Sequence, residues 1–290
     1  MDKALVLGGA TGLLGKALVR ELERQGWQVG TLGRGDGDIT DRGFLQGSIE
    51  AFQPDVVLNA VAWTQVDAAE DDPEGARRIN RTLPDTLARI LKGQGAGHLV
   101  HFGTDFVFSG ARDRPWTEED TPEPTSVYGN TKLQGERAVL DVLPDRACVV
   151  RTAWLFGPDR ENFVSKIMDA CNRRDSVDVV HDQTGSPTLT LDLAVWTAAL
   201  AAGRACGLWH AVNGGTATWC DLACESISMA GHLCRVNPTT SDRWPQKAKR
   251  PKYSALDCSK LAAYLGKAPR PWPQALRDYI FNHAQMSRSA

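Results

Sequence analysis

Gly9-Ala10-Thr11-Gly12-Leu13-Leu14-Gly15 has the pattern G-x-x-G-x-x-G, and its reading decides the fold. The apolar run Ala4–Leu7 leads into it. The stretch Gly15–Gln25 leads out of it as a helix, with Ala17, Leu18 and Leu22 on one face. A strand that turns through glycines into a helix lets the backbone approach a phosphate closely. The helix start then offers free N–H groups and the positive end of its dipole. The same spacing fits an ordinary tight strand-to-helix turn, but a strand before it and a helix after it favour a dinucleotide site.

Further along, Trp27–Leu32, Asp55–Asn59, His98–Phe102, Ala147–Arg151 and Ser176–Val180 read as strands. Ala76–Leu91 and Val127–Leu143 read as helices. This alternation predicts an α/β fold: a Rossmann-type doubly wound parallel sheet with a smaller C-terminal substrate-binding lobe. The expected division gives residues 1–153 plus about 176–205 to the dinucleotide-binding Rossmann domain, and about 154–175 and 206–290 to the lobe. The pattern loosens beyond 155, and proline and tryptophan become frequent through Pro245–Pro273. Ligands of such sheets bind at the carboxyl ends of the strands, which puts Gly8–Gly15, Asn59–Asp67, Gly103–Gly110 and Thr152–Pro158 along one rim.

Composition narrows the partners. The 290 residues carry a formal charge of −2 and no basic block, which argues against nucleic acid. No apolar run reaches the roughly 20 residues of a membrane span, and the N-terminus lacks the order of a signal peptide. The expectation is therefore a cytoplasmic protein that does not engage a membrane, acting as a monomer or homodimer. The seven cysteines form no disulfide-like framework, although Cys220 and Cys224 fall on one helix face. All seven are read as buried free thiols, and no metal site is expected.

The cofactor type follows from the end of the second strand. NAD sites place an acid there for the ribose 2′-hydroxyl, yet Gly30–Gly33 holds none and Arg34 follows. A guanidinium suits a 2′-phosphate through paired charge-assisted bonds, so NADPH is the expected cofactor. Asp36 and Asp38 lie close by and keep NADH possible.

Tyr128-Gly129-Asn130-Thr131-Lys132 is Y-x-x-x-K, which sets phenol and ammonium one helical turn apart. A free phenol has a pKa of about 10, and a nearby cation is expected to lower it. The tyrosine then acts as general acid toward a ketone, or as base toward an alcohol. Thr104, just past the fourth strand, can hold the substrate oxygen beside it. The glycine loop, Thr104, Tyr128 and Lys132 occur in the order that one nicotinamide site needs.

With these residues in place, the chain resembles the extended short-chain dehydrogenase/reductases and, among them, the dTDP-4-dehydrorhamnose reductase family. The segments that carry the likeness are Gly9–Gly15, Asp38–Asp41, Asn59–Asp67, Thr104–Gly110, Tyr128–Glu136, Arg151–Trp154, Asp182–Thr188, Arg250-Pro251 and Leu256-Asp257. The D-Q-x-G-x-P-T run at Asp182–Thr188 makes it specific. The resemblance implies a nucleotide-sugar substrate and assigns roles. Gly9, Gly12, Leu13, Leu14 and Gly15 would cradle the cofactor, with Asp38 and Ile39 at its adenine. Ala60, Ala62 and Thr64 would lie along it, and Lys132 would also bind the nicotinamide ribose. Thr104, Asp105, Trp154, Asn162 and Arg250 would meet the substrate. Asn80 would fix the neighbouring helix and strand. Trp63 stands where the family pattern N-A-A-A-Y-T has tyrosine, and Val61 replaces its middle alanine. These departures bear on how sugar or nicotinamide fits.

Two other functions share the pattern. Nucleotide-sugar dehydratases and epimerases have the same Y-x-x-x-K, but similar dehydratases follow the threonine with Asp-Glu, whereas Thr104-Asp105 is followed by Phe106. The regulatory β subunit of methionine adenosyltransferase resembles the same reductases and would bind NADP without turnover. The intact Thr104, Tyr128 and Lys132 speak against that reading.

Overall fold

The computed structural model describes residues 1–243 and 246–284, so Pro245 at the head of the proline-rich stretch lies outside the described residues. Strand β1 (Lys3–Leu7) is flanked on one side by β2 (Gln28–Leu32) and on the other by β3 (Val56–Asn59). Beyond β3 come β4 (His98–Thr104), β5 (Ala147–Thr152) and a last strand, Gly207–His210. Every pairing in this six-stranded sheet is parallel. The chain moves outward from β1 in both directions, so a crevice opens at the carboxyl end of β1, where the strand order reverses.

Parallel strands buried on both faces need apolar residues throughout, and β3, β4 and β5 are buried along their whole lengths. On one face, helix α1 (Leu13–Arg24) packs beside the helix Thr190–Ala202 around Val6, Leu18, Leu22, Val150 and Leu200. On the other, Leu45, Ile49, Leu87 and Leu91 pack over Leu5, Leu7, Val57 and Val149. The lobe is a separate apolar cluster in which Phe156, Val164, Leu222, Leu276 and Tyr279 are buried. Among the described residues, no helix is long and apolar enough to cross a membrane.

Three expectations are corrected. Ser176–Val180 is a strand, but it pairs with Arg235–Thr239 in a small two-stranded sheet outside the main one. Its alternating burial suits a sheet with one covered face. The sixth strand of the main sheet is instead Gly207–His210, inside the segment assigned to the lobe. Its glycine, tryptophan and histidine hide the apolar signature. The cysteines are not all buried free thiols. Cys171 and Cys234 form a disulfide with their Cα atoms 5.3 Å apart, while Cys224 is exposed. These two are 63 residues apart, so no local spacing marks the pair. The helix read at Ala76–Leu91 is a longer helical run, Pro73–Arg77 and Leu83–Gln94, joined by a π-helical turn at Arg78–Thr82.

That π-turn holds Asn80, which is 1% exposed. Its Oδ1 accepts from the Trp63 backbone N–H at 2.8 Å, and its Nδ2 donates to the Trp63 carbonyl and the Thr131 hydroxyl, each at 3.2 Å. One side chain thus ties the loop after β3 to the helix Val127–Val142, as its expected bracing role required. Gly135 of that helix permits the approach, because a Cβ there would lie 2.0 Å from the Asn80 carbonyl oxygen. Gly135→Ala should therefore push the two helices apart and cost roughly 1–3 kcal/mol by overpacking. Urea unfolding would measure this, and a variant as stable as the parent would contradict the close seat.

Candidate active site

At the end of β1, Gly15 packs so closely on Gly8 that a Cβ would stand 2.1 Å from the Gly8 carbonyl oxygen. Helix α1 begins at Leu13 behind Gly12, with no side-chain cap and no acid in its first turn. Its first N–H groups and positive dipole end face the strand edge, as a pyrophosphate requires. The loop after β3 lies alongside: the ideal Cβ of Gly8 would be 3.6 Å from the Ala60 carbonyl. Ala60 and Ala62 are half-buried in this loop and Thr64 is exposed. Ile39 is buried in the core. Asp38 accepts from the Thr40 N–H at 2.9 Å and the Thr40 hydroxyl at 2.7 Å, and those bonds hold its carboxyl below the usual range. Arg34 is exposed and lines a cavity of about 640 Å³ with Trp63, Arg77 and Arg78. This cradle, closed to any side chain at Gly15 and basic beyond β2, fits a phosphorylated dinucleotide.

The helix Val127–Val142 starts at Ser126, whose hydroxyl accepts from the Gly129 N–H at 3.1 Å. The cap fixes the register that carries Tyr128 and Lys132 inward, and both are buried. Thr104, the last residue of β4, is hydrogen-bonded to the Tyr128 phenol. The Thr104 hydroxyl also donates to Asp105 at 3.2 Å and accepts from the Phe106 N–H at 3.3 Å. The structure therefore brings Thr104, Asp105, Tyr128 and Lys132 together at the end of β4.

The electrostatics differ from the sequence expectation at the phenol. Burial pushes Tyr128 up to about 12; the Thr104 bond opposes the rise, while the charges of Asp105 and Glu136 add to it. The expected lowering by a neighbouring cation does not occur here. Lys132 instead gives its ammonium to the Phe102 carbonyl. Burial brings that lysine down to about 8, against the raising influence of Glu136. A phenol held this high keeps its proton at neutral pH, so the group is set to donate rather than accept. Asp105 is raised to about 6, chiefly by burial, although Ser254 Oγ donates to it at 2.5 Å.

Around the opening stand Trp154, Arg250 and Phe106, which line a small cavity of about 40 Å³ with Gln183, Trp219 and Ser254. Trp154 holds a φ of +47°, in the left-handed region, and stacks on Trp219 with ring centroids 3.6 Å apart and planes at 5°. Arg250 is paired with Asp67 through two bonds of 3.1 and 2.9 Å. Phe106 sets its ring edge-on to Tyr128 at 5.5 Å. The position after Asp105 thus holds a phenyl ring, which cannot carry the proton that dehydration needs.

Asn162, expected at the substrate, is a helix cap. Its Oδ1 accepts from Val164 and Ser165 N–H groups, and its Nδ2 donates to Gly157 and Arg160 carbonyls and to Tyr279. It caps the helix Phe163–Cys171, and its amide is engaged in that cap. Sequence reasoning missed Trp219 and Ser254. Ser254 lies between two recognised segments, Arg250-Pro251 and Leu256-Asp257, and only that proximity could have flagged it.

A parallel sheet with a glycine cradle at β1 and a Thr–Tyr–Lys set at β4 defines an extended short-chain dehydrogenase/reductase. The chain belongs to the RmlD substrate binding domain family, whose model matches residues 3–285. It is 44% identical over 276 residues to a dTDP-4-dehydrorhamnose reductase of Streptomyces griseus, covering 93% of this chain and 90% of that protein. It is 40% identical to a dTDP-4-keto-6-deoxy-D-glucose reductase of Streptomyces niveus, covering 88% of each. The crystal structure of a dTDP-4-dehydrorhamnose reductase from Bacillus anthracis in complex with NADP is similar at a TM-score of 0.92. That pair is 30% identical, and the likeness covers 97% of this chain and 99% of that one.

Beneath the site, Arg151 of β5 donates to one Glu136 oxygen through Nε at 2.9 Å and a terminal nitrogen at 2.8 Å. The side chains are 3% and 2% exposed. Arg151→Met would strand Glu136 as a buried, unpaired charge and should cost about 3–5 kcal/mol. Adding Glu136→Met should recover much of that loss. Chemical denaturation would test this, and a single-variant loss below about 1 kcal/mol would contradict the pairing as described.

Proposed function

We propose that the chain reduces the C4 ketone of a dTDP-6-deoxy-4-ketohexose with NADPH, giving dTDP-L-rhamnose or a close epimer. The observation that carries this reading is the buried Tyr128 beside Thr104, the last residue of β4, in the sheet whose β1 ends in the glycine cradle. Gly9, Gly12, Leu13, Leu14 and Gly15 would hold the pyrophosphate. Asp38 and Ile39 would meet the adenine, and Arg34 the 2′-phosphate. Ala60, Ala62 and Thr64 would line the remaining length. When bound, NADPH supplies the hydride that turns the ketone carbon into an alcohol carbon.

The protein's own part is polarisation and proton delivery. Tyr128 donates to the carbonyl oxygen, joined by Thr104 when its hydroxyl turns from Asp105 to that oxygen, and both bonds strengthen as negative charge grows on it. Tyr128 then gives its proton to that oxygen. A nascent alkoxide is a much stronger base than a phenolate, so a raised phenol pKa does not block the transfer. Lys132, whose ammonium is held by the Phe102 carbonyl, would bind the nicotinamide ribose. Asp105 accepts the Thr104 hydroxyl before substrate arrives, and Trp154 would pack on the sugar. Arg250 would bind the nucleotide-sugar from the rim.

The product is left as rhamnose or an epimer for two reasons. The relatives include reductases named for different 4-keto sugars. Trp63, the departure from the family pattern, lines the Arg34 cavity and packs against the apolar cluster that contains Tyr128, so it bears on the cofactor side as much as on the sugar. The protein would work in the cytoplasm, as a monomer or homodimer.

Tyr128→Phe keeps the ring and removes the proton donor. Its rate of NADPH oxidation with the 4-keto nucleotide-sugar should fall about 10²–10⁴-fold, with NADPH affinity kept. Steady-state kinetics and a cofactor titration would check both. Near-normal turnover would reject Tyr128 as the acid, and no turnover by the parent protein would reject the proposed reaction.

A further inference from the structure

The cavity beyond β2 holds more positive charge than Arg34 alone supplies. Three guanidiniums line it, those of Arg34, Arg77 and Arg78, against the carboxylates of Asp72 and Glu74. Both acids are engaged. Asp72 caps its helix by accepting from the Gly75 N–H at 2.8 Å, and Glu74 lies 3.7 Å from Arg77. Among the described residues, neither Arg34 nor Arg78 comes within ion-pair distance of a carboxylate. The two arginines reach the cavity from different elements, Arg34 after β2 and Arg78 at the first position of the π-turn.

Arg78 is exposed on the outer face of this helical run, at the start of the π-turn. Here Ala76, Asn80 and Leu83 all face inward, with Asn80 bonded to Trp63, while Arg78, Ile79 and Thr82 face the cavity. Asn80 and Trp63 thus hold the turn that presents Arg78. The Arg78 charge also reaches Asp38 and favours its ionised form. The Asp38 carboxylate is itself bonded to Thr40, which leaves the guanidinium donors of Arg78 open.

We propose that Arg78 is a second anchor for the adenosine 2′-phosphate of NADPH, sharing with Arg34 the cavity that both line. The proposal rests on the NADPH reading above and adds a specificity-determining residue to it. Two guanidiniums in one cavity suit a phosphate dianion by charge-assisted bonds, which a ribose 2′-hydroxyl cannot return. Arg78 would set the preference for NADPH over NADH together with Arg34. A cofactor without the phosphate would lose the contribution of both.

The test is cofactor binding without sugar. NADPH and NADH are titrated, by nicotinamide fluorescence, into the parent protein and into Arg34→Ala, Arg78→Ala and Arg78→Lys. Adenosine 2′-monophosphate and 5′-monophosphate serve as competitors. Arg78→Ala should weaken NADPH about tenfold and NADH by less than about twofold, and Arg78→Lys should recover part of the loss. The 2′-monophosphate should lose its advantage as competitor in Arg78→Ala. An unchanged NADPH-to-NADH affinity ratio in Arg78→Ala, with circular dichroism showing it folded, overturns the proposal alone. A parent protein that binds neither cofactor overturns it together with the NADPH reading.

Discussion

The seat of the helix Val127–Val142 is the constraint on which the site depends. Its second and sixth residues, Tyr128 and Lys132, reach the strand edge only because Gly135 lets the helix lie against Asn80. One residue further, Glu136 meets Arg151 in a pair sealed from water. Such a pair adds little net stability compared with well-packed apolar side chains, because both charges are taken out of water. What it supplies here is position. The glutamate accepts two bonds in one direction from β5, so the helix cannot slide or turn without stranding a buried charge. Gly103 makes room for it, since a Cβ there would come 2.2 Å from a Glu136 oxygen.

The same burial sets the chemistry. A phenol and an ammonium in a dry site each favour the neutral form, so the tyrosine moves up and the lysine down. Glu136 acts on both in the same sense, disfavouring phenolate and favouring ammonium. Burial first, with Asp105 and Glu136 adding to it, thus favours the protonated Tyr128, the state that ketone reduction needs. His101, on β4, is fully buried and held well below its usual value by burial, then by the Lys132 charge. It adds no second positive charge beside the lysine.

Much of this was legible in the sequence where local chemistry is unusual. The glycine loop, Thr104 and the Tyr128/Lys132 spacing each need particular residues at fixed intervals, so their chemistry shows in the letters. The β1–β5 framework was legible for a related reason: strands buried on both faces must be apolar. Gly207–His210 was missed because an edge strand can use glycine, tryptophan and histidine. Cys171 with Cys234, Asp105 with Ser254 and Trp154 with Trp219 are contacts made by tertiary folding, and no sequence interval encodes them. The direction of the Tyr128 shift went wrong because a spacing of four says where a lysine lies, not where its ammonium points. Lys132 turns to a backbone carbonyl. Asn162 was given to substrate on the strength of resemblance, while its amide caps a helix.

The central claim is that this edge delivers a hydride to C4 of a keto sugar and a proton to the oxygen it bears. The most direct measurement uses NADPH carrying deuterium at the transferring position of the nicotinamide, incubated with the dTDP-6-deoxy-4-ketohexose and the parent protein. NMR of the product should show a C4 alcohol bearing one deuterium for each cofactor oxidised. A sugar that keeps its ketone, or a C4 alcohol without deuterium, would contradict the account.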